Sequence, residues 1–498
     1  MRNEPALWLF ADQLGPHFHS TPDHRGRDVL LIRSAAAFAG KPFHRQKLHL
    51  VQAALYRLAA DLGDRVTLLD APDYRTGLRR FGRPVVVHEP TSHAADAFVR
   101  RLRDEGVVTE ILPTPGFVLS KEDFAAWAEG RTRFVMEDFY RDQRRKFGVL
   151  LEPDGEPAGG HWNYDQDNRQ RPPKTTRLDV PAPWHPRENE FDDRVRAELD
   201  EAERAGKIHP VGVDGPRRFA VGHDEANRAL HRFLEHRLPV FGPHQDAMLT
   251  HDWAMAHALL SVPLNLGLLD PRDVVRRAEE RYRTGDALLS SVEGFVRQIL
   301  GWREWVWHLY WHQGPDYLRR NALQARRELP DWWRSLDADA VEAACLRTAL
   351  AGVRDRGYAH HIERLMVLGN HALQRGYDPA ELNRWFATAF VDGFGWVMPA
   401  NVIGMSQYAD GGLVGTKPYA AGGAYISRMS DHCPGCVFDP KKRTGPDACP
   451  FTAGYWAFLD RNAGRLRGNH RMRQPLRGLE RLADRDEVVA READRRHF

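Results

Sequence analysis

Apolar positions change their period twice along the chain. Between residues 6 and about 130, short apolar runs alternate with segments whose apolar residues recur every three or four positions. The runs Ala6–Phe10, Val29–Ile32, Val66–Leu69, Val85–Val87 and Thr109–Leu112 are too short for helices and carry too little polar alternation for strands with one wet face. They predict a parallel sheet covered on both sides, with helices over Lys47–Leu62 and Ala94–Asp104. Ligands of such sheets sit beyond the carboxyl ends of the strands, which places Asp12, Gln13 and the segment after Ile32 near any pocket there.

From about 131 to 220 the period is lost. Phe139-Tyr140-Arg141 through Lys146 reads as a basic-aromatic helix end. Gly159-Gly-His-Trp162-Asn-Tyr164-Asp-Gln-Asp167 mixes polarity with large side chains and predicts an ordered linker, and the Pro-rich Arg171–Pro186 crosses to the next domain. From about 221 the 3.6-residue period dominates. It predicts helices over Asp224–Leu238, Asp246–Leu260, Pro271–Tyr282, Ser291–Trp311, Asp339–Arg354, Ile362–Arg375, Pro379–Phe390 and Tyr455–Leu466. Pro271 and Pro379 stand in first turns behind the N-cap residues Asp270 and Asp378. The expected organisation is an α/β domain at 1–130, a linker at 131–220 and an all-α domain at 221–498.

Composition narrows the function classes. The net charge of the 498 residues is +3, so global charge does not announce a polyanion partner, although the 71 Lys and Arg residues allow a local basic face. No apolar run approaches the roughly 20 residues of a membrane span, and no charged-then-apolar leader opens the chain. The expectation is a soluble, cytoplasmic protein without membrane contact. A phosphate loop and Gly-x-Gly-x-x-Gly are both missing, which argues against a nucleotide-hydrolysing engine.

Cysteine is used four times, three of them in one loop as Cys433-Pro-Gly-Cys436 and Cys449-Pro450; the fourth, Cys345, lies far upstream. Gly435 would let the chain bend back between the first two thiolates. An iron–sulfur cluster accepts three local cysteines and a remote one. Structural zinc takes two local hooks, and one is missing here. Free thiols are the plain alternative, and disulfides fit least.

Three other stretches carry candidate chemistry. On an ideal helix over Ser291–Trp311, Glu293, Arg297, Gly301, Glu304 and His308 share a face opposite Phe295, Ile299, Trp302, Val306 and Leu309. This polar stripe is either solvated or a seam facing a ligand. In Tyr358-Ala-His360-His361-Ile-Glu-Arg364, the i,i+4 spacing of a metal pair is lacking, so acid–base work is the better functional reading beside ordinary core or surface histidines. Trp385 through Asn401 is aromatic with one acid, Asp392, which needs a partner if buried; Arg364 is the candidate. The glycine-rich Gly404–Tyr419 loop, with Lys417, suits a phosphate backbone or a planar ring.

The motifs Asp12-Gln-Leu, Phe139-Tyr-Arg, Gly159-Gly-His-Trp-Asn-Tyr-Asp, Gln245-Asp-Ala-Met, Leu260-Ser261-Val-Pro-Leu-Asn265, Ser290-Ser-Val-Glu-Gly-Phe-Val-Arg-Gln, Tyr358-Ala-His-His-Ile-Glu-Arg, Gly404-Met-Ser-Gln-Tyr-Ala-Asp-Gly-Gly and Arg428-Met-Ser-Asp with the cysteines run nearly the full length. Together they resemble the bacterial cryptochromes and photolyases that carry an iron–sulfur cluster, including prokaryotic (6-4) photolyases. The resemblance implies an antenna α/β domain, a long linker and a helical domain holding FAD. It implies a [4Fe-4S] cluster on Cys345, Cys433, Cys436 and Cys449. It places Ser261 near the FAD phosphates and the segment from Gln298 to Glu304 beside the cofactor and lesion. It also puts Arg364 paired with Asp392 by the flavin ring, and Met398 and Asn401 on the cofactor. His361 would protonate the lesion with His360 and Tyr419 close by, and Trp385 would carry electrons to the flavin.

Three positions depart from the family pattern. Phe386 replaces the usual tyrosine after Trp385, and Trp332-Trp333 stand where the tryptophan before the first cysteine does not align. Met398 falls where an acid commonly faces the flavin. Arg33-Ser-Ala-Ala-Ala-Phe38 lacks the usual glutamates of a lumazine (6,7-dimethyl-8-ribityllumazine) antenna, of whose residues His44 and Lys47 remain.

The resemblance implies light-dependent repair of (6-4) photoproducts in UV-damaged DNA by a monomer. The alternative is a cryptochrome-like blue-light photoreceptor that binds FAD and repairs little, favoured by Phe386 and Met398. A zinc-stabilised helical DNA-binding protein without flavin is a third reading. The paired histidines favour repair.

Overall fold

The computed structural model describes residues 4–498. Five strands, β1 (Ala6–Leu9), β2 (Val29–Ser34), β3 (Val66–Ala71), β4 (Val85–His88) and β5 (Val108–Leu112), form one sheet in the order β3-β2-β1-β4-β5, every neighbouring pair parallel. Leu7 pairs with Val29, Leu30 with Thr67 and Val87 with Ile111. Successive side chains point to opposite faces. Trp8, Leu30, Ile32, Val85 and Val87 pack with Leu78 of the helix Tyr74–Phe81 and with Val99 and Leu102 of His93–Asp104. Leu7, Leu9, Val29 and Leu31 share a core with Leu48, Val51 and Leu55 of Arg45–Leu62. Dry contact on both faces is why the strands read as continuous apolar runs.

Strand order reverses at β1, and Asp12 and Gln13 follow it. Gln13 is fully buried and donates to the Glu89 carbonyl at 3.1 Å, while Thr91 donates to the Asp12 carboxylate. These residues tie the β1 and β4 loops together and line neither of the cavities described below.

The helix Arg45–Leu62 is the hinge of the architecture. It is buried from Arg45 to Tyr56 because the sheet covers one side and the helix Glu190–Arg204 another. Glu190–Arg204 is highly charged, but Phe191, Val195 and Leu199 recur every four residues and pack against the shared core. It is set by a capping box between Asn189 and Asp192, and Asp192 receives His49 Nε2 at 2.9 Å and Arg217 Nε at 2.7 Å. The segment 131–220 is ordered by these polar contacts together with buried anchors such as Phe139, Tyr140, Leu150 and Val195 in the shared core.

The remaining chain is helical, with one correction. Residues 246–260, expected to be helical, form turns with left-handed φ at Met255 (44°) and Leu259 (57°). The buried Arg237 guanidinium gathers the carbonyls of Pro181 (2.6 Å), Ala254 (3.4 Å) and Met255. Those oxygens would otherwise have accepted helical hydrogen bonds. The caps at Asp270 and Asp378 stand as expected, accepting from Arg272 N (2.8 Å) and Glu381 N (2.9 Å). Cys433–Gly435 is a 3₁₀ turn begun by Pro434, and Gly435 keeps an ordinary negative φ, so its backbone freedom is not what makes the turn. No helix among the described residues is long and apolar enough to cross a membrane.

Candidate active site: a cleft bordered by three π-turns

Three helices are interrupted by π-helical turns, at Arg297–Arg303, Glu363–Gly369 and Ala400–Ser406. Each inserts a residue into the 3.6-residue rhythm and swings its side chains, a device that recurs at functional sites. All three border a cleft of about 290 Å³, supplying Gln298, Trp302 and Arg303, then Arg364, then Asn401. The expected polar stripe of Ser291–Trp311 is on the far side. Glu304 is a correction: it is fully buried away from the cleft, and its carboxylate accepts the backbone N–H groups of Val118 (2.9 Å) and Leu119 (3.1 Å). Glu293 likewise accepts Tyr164 N at 3.0 Å. The stripe fastens the linker, and the opposite, aromatic face meets the cleft.

Arg364 and Asp392 pair as expected, in a two-pronged bridge of 2.9 and 3.0 Å. Ser261 donates to the same carboxylate at 2.7 Å, and Asn265 Nδ2 to the Asp392 carbonyl at 3.0 Å. Arg364 is steadied further by the Ala359 carbonyl (2.6 Å) and by the rings of Phe390 and Tyr358, 4.4 and 4.8 Å from its guanidinium carbon. A planar guanidinium held this way presents a fixed charge to the cleft.

His361 stands in the wall shared by this cleft and an adjoining cavity of about 100 Å³, together with Arg364, Val397 and Asn401. It is exposed, but to the water of a protein-walled cleft. That enclosure, and then Arg364, lower its pKa to about 4. His360 is a correction. It is 1% exposed, lines neither cavity and stacks on His257 (4.8 Å, 23°), with its backbone N–H on Glu363 at 3.2 Å. His257, not His360, lines the cleft beside His361. Tyr419 is a second correction: it lies outside both cavities, 36% exposed, with Arg169, Asp165 and Asp246 among its charged neighbours.

Met398 and Phe386 line the smaller cavity. Trp385 packs behind Phe386 (4.9 Å) and against Trp333 (5.3 Å), which in turn touches Trp332 (5.4 Å). Arg303 lies in the segment expected beside the cofactor, without a role of its own. Its guanidinium packs against the rings of Phe117 (4.3 Å) and Trp396 (5.3 Å), donates to Gly116 O at 2.9 Å and lines the cleft, and burial lowers its pKa to about 10. Trp302 lies in the same segment, whereas Asn265 and Tyr358 were unassigned although both lay in quoted motifs.

His44 and Lys47 face no cavity described here. His44 Nε2 meets the Arg354 carbonyl at 3.0 Å, and Lys47 donates to the Ala387 carbonyl at 2.6 Å.

Elsewhere, Cys345, Cys433, Cys436 and Cys449 line one small void of about 10 Å³ with Phe438 and Ile426, and none is in a disulfide. Burial and the other three sulfurs push the Cys345 thiol pKa well up. A Cβ on Gly423 would come within 2.9 Å of Cys449 Sγ, so glycine keeps that wall open. Among the described residues no three His, Cys, Asp or Glu side chains converge as for a single ion.

Residues 7–211 match the family model described as deoxyribodipyrimidine photo-lyase-related protein. Over 385 residues, 76% of this chain and 73% of the relative, the sequence is 43% identical to a (6-4) photolyase of Agrobacterium fabrum (strain C58 / ATCC 33970). The chain belongs to the (6-4) photolyase family. Its fold is the photolyase–cryptochrome fold. It matches a class III photolyase of Agrobacterium tumefaciens over 99% of this chain and 97% of that one (TM-score 0.58, 18% identity). It also matches a cryptochrome of Synechocystis sp. PCC6803 over 82% and 83% (TM-score 0.56, 15% identity). Within this photolyase family member the described cleft lies in the helical part, and the sheet forms a separate layer behind the helix Arg45–Leu62.

Proposed function

We propose that this photolyase-family chain repairs (6-4) photoproducts in UV-damaged DNA in a light-dependent reaction, as a lyase. It would hold FAD in the 290 Å³ cleft and a [4Fe-4S] cluster on Cys345, Cys433, Cys436 and Cys449. The observation that carries the reading is the position of His361 in the cleft wall, three residues before an arginine fixed by Asp392.

The cleft suits a flavin nucleotide. Phe295, Ile299, Trp302 and Trp396 give flat apolar walls, and Ser261, Asn265, Gln298, Asn401, Arg303 and Arg364 give polar ones. Two buried nitrogens facing this region, His257 Nε2 and Arg303 Nε, have no partner among the described residues. FAD bound there and reduced would supply the photoexcited electron that opens the lesion and would take it back. Arg364 and Asp392 would hold the ring system, and Asn401, Gln298 and Arg303 the rest.

The damaged bases, turned out of the duplex, would enter beside His361. A histidine held near 4 in an empty cleft is neutral at pH 7. The negative charge that arrives with the damaged strand raises its pKa and lets it carry the proton the lesion needs. His360, stacked on His257, would fix the ring next to the proton donor. Trp385, with Trp333 behind it, would carry electrons towards the cleft past Phe386. Thr416 and Lys417 are exposed on a loop pinned where Asp410 accepts Gly412 N at 2.9 Å and Val414 N at 3.0 Å. They suit a phosphate backbone, so binding should weaken with salt. The α/β layer, with His44 and Lys47 engaged elsewhere, offers a lumazine antenna no free side chain at those positions.

Three local cysteines and a remote fourth around one void favour a cluster over zinc, which usually takes two local hooks. The lesion class is decided by illuminating the flavin-loaded protein with one oligonucleotide carrying a (6-4) photoproduct and one carrying a cyclobutane dimer. Repair of the first alone is expected; repair of the dimer alone would overturn the assignment.

A further inference from the structure

The loop that carries Asp392 is a cup of carbonyl oxygens. Gly393 leaves no room for a side chain there: a Cβ would fall 2.6 Å from Phe386 O, 2.9 Å from Ala387 O and 3.0 Å from Phe390 O. Phe386 O and Ala387 O end the helix Pro379–Ala389, whose last carbonyls have no helical partners and whose dipole favours a donor or cation, while Phe390 O, just past it, accepts Gly393 N at 3.0 Å. The group that fills the cup comes from the α/β layer. Lys47, 7% exposed in the first turn of Arg45–Leu62, donates from Nζ to Ala387 O and to Gly393 O. The rings of Phe43 and Phe394 lie 5.2 and 5.5 Å from the ammonium. One turn earlier, His44 N donates to Thr388 O at 2.9 Å in the same loop. Between Ala387 and Gly393 sits Asp392, whose carboxylate holds Arg364 and Ser261 and whose carbonyl receives Asn265. Four residues of the cleft therefore rest on a loop whose two ends are held from another layer of the fold.

We propose that Lys47 is a positioning residue of the cofactor cleft: through it the α/β layer holds the 387–393 loop in the form that presents Asp392 to Arg364. The layer is then a working part of the cofactor site even without a pigment of its own. Losing the amine leaves two buried carbonyls unpaired, and the loop relaxes towards whatever satisfies them. The proposal rests on the FAD reading for its binding arm only.

The test compares Lys47→Met with Gln46→Leu. Gln46 is the neighbouring residue, and its side chain also crosses to the helical part, donating to Asp355 O (2.8 Å) and to Val213 O (3.1 Å), away from the loop. Two quantities are read: amide hydrogen exchange of residues 387–396 in the flavin-free protein, and the Kd for FAD. Lys47→Met should speed exchange of this segment and raise the Kd about tenfold, with Gln46→Leu leaving both near wild type. Equal effects of the two variants, or none from Lys47→Met, would overturn the proposal. If the wild type binds no FAD, the functional reading falls and the exchange arm alone decides the role of Lys47. Should Lys47→Met not fold, native-state exchange of the wild type decides. Amides 388–393 opening together with those of Arg45–Leu62 support the clasp; independent opening at lower protection contradicts it.

Discussion

Arg364 and Asp392 are 28 positions apart in sequence and form the best-anchored polar pair of the cleft. Both are largely buried, so removing one partner strands the other charge. Asp392→Ala should lower folding stability by about 3 kcal/mol and abolish flavin retention, read by chemical denaturation and by the bound-flavin spectrum. Histidine burial has its own signature. Burial lowers His19 and His44 to about 4 and His360 to about 3, from an ordinary value of 6.5. The unfolded chain then binds more protons than the folded one below pH 6.5. Stability is full above that pH and declines as pH falls towards the folded values, by about 1.4 kcal/mol per unit for each histidine. Denaturation curves between pH 7 and 4.5 check this; a flat profile would contradict it. At this scale the sequence exposed the Arg364–Asp392 pair and His361, because their motifs are local. The surroundings of Glu304, His360 and Tyr419 were not legible, because which way a side chain turns depends on the helices around it.

At the scale of elements, strands and helices were largely legible and the cleft face was not. The apolar runs located all five strands; two-sided burial leaves a plain mark on β1, β2 and β4, whereas the edge strands β3 and β5 are only partly buried. The helices Tyr74–Phe81 and Glu190–Arg204 were unanticipated, the second because its apolar stripe of Phe191, Val195 and Leu199 is spread among charged residues. Residues 246–260 carried a helical period, yet Arg237 draws their carbonyls inward, and no period encodes that. Over Ser291–Trp311 the ideal wheel grouped the residues correctly, since Phe295, Ile299, Trp302 and Val306 share the cleft wall, but periodicity does not say which of the two faces meets a ligand. The aromatic succession Phe386–Trp385–Trp333–Trp332 gives a prediction at this level. Trp333→Phe should slow light-driven reduction of the flavin by an external reductant severalfold and leave repair by chemically pre-reduced protein unchanged. Equal loss of both would show a packing role instead.

Across the whole molecule, distant segments meet at two places. Cys345 begins the helix Ala344–Arg356 and joins a void built by the loop of Cys433, Cys436 and Cys449, so a bound cluster would tie the last helices to the body of the fold. Cys345→Ser should yield protein with reduced iron and acid-labile sulfide and an earlier thermal transition; unchanged iron content, or zinc in its place, would contradict the cluster. The cysteine spacing foretold this meeting without coordinates, because a remote fourth ligand is a pattern iron–sulfur sites accept. The other meeting, of the α/β layer with the Asp392 loop, left no sequence signal, since a lysine reaching carbonyl oxygens leaves no motif.

The central claim is that His361 acts on a (6-4) lesion in the flavin cleft. Its most direct test is illumination of chemically reduced, flavin-loaded protein with an oligonucleotide carrying one (6-4) photoproduct, beside a dark control and His361→Ala. Light-dependent repair that is lost in His361→Ala while flavin content is kept is the expected result. No repair by wild type with reduced flavin bound, or equal repair by the variant, would contradict the account.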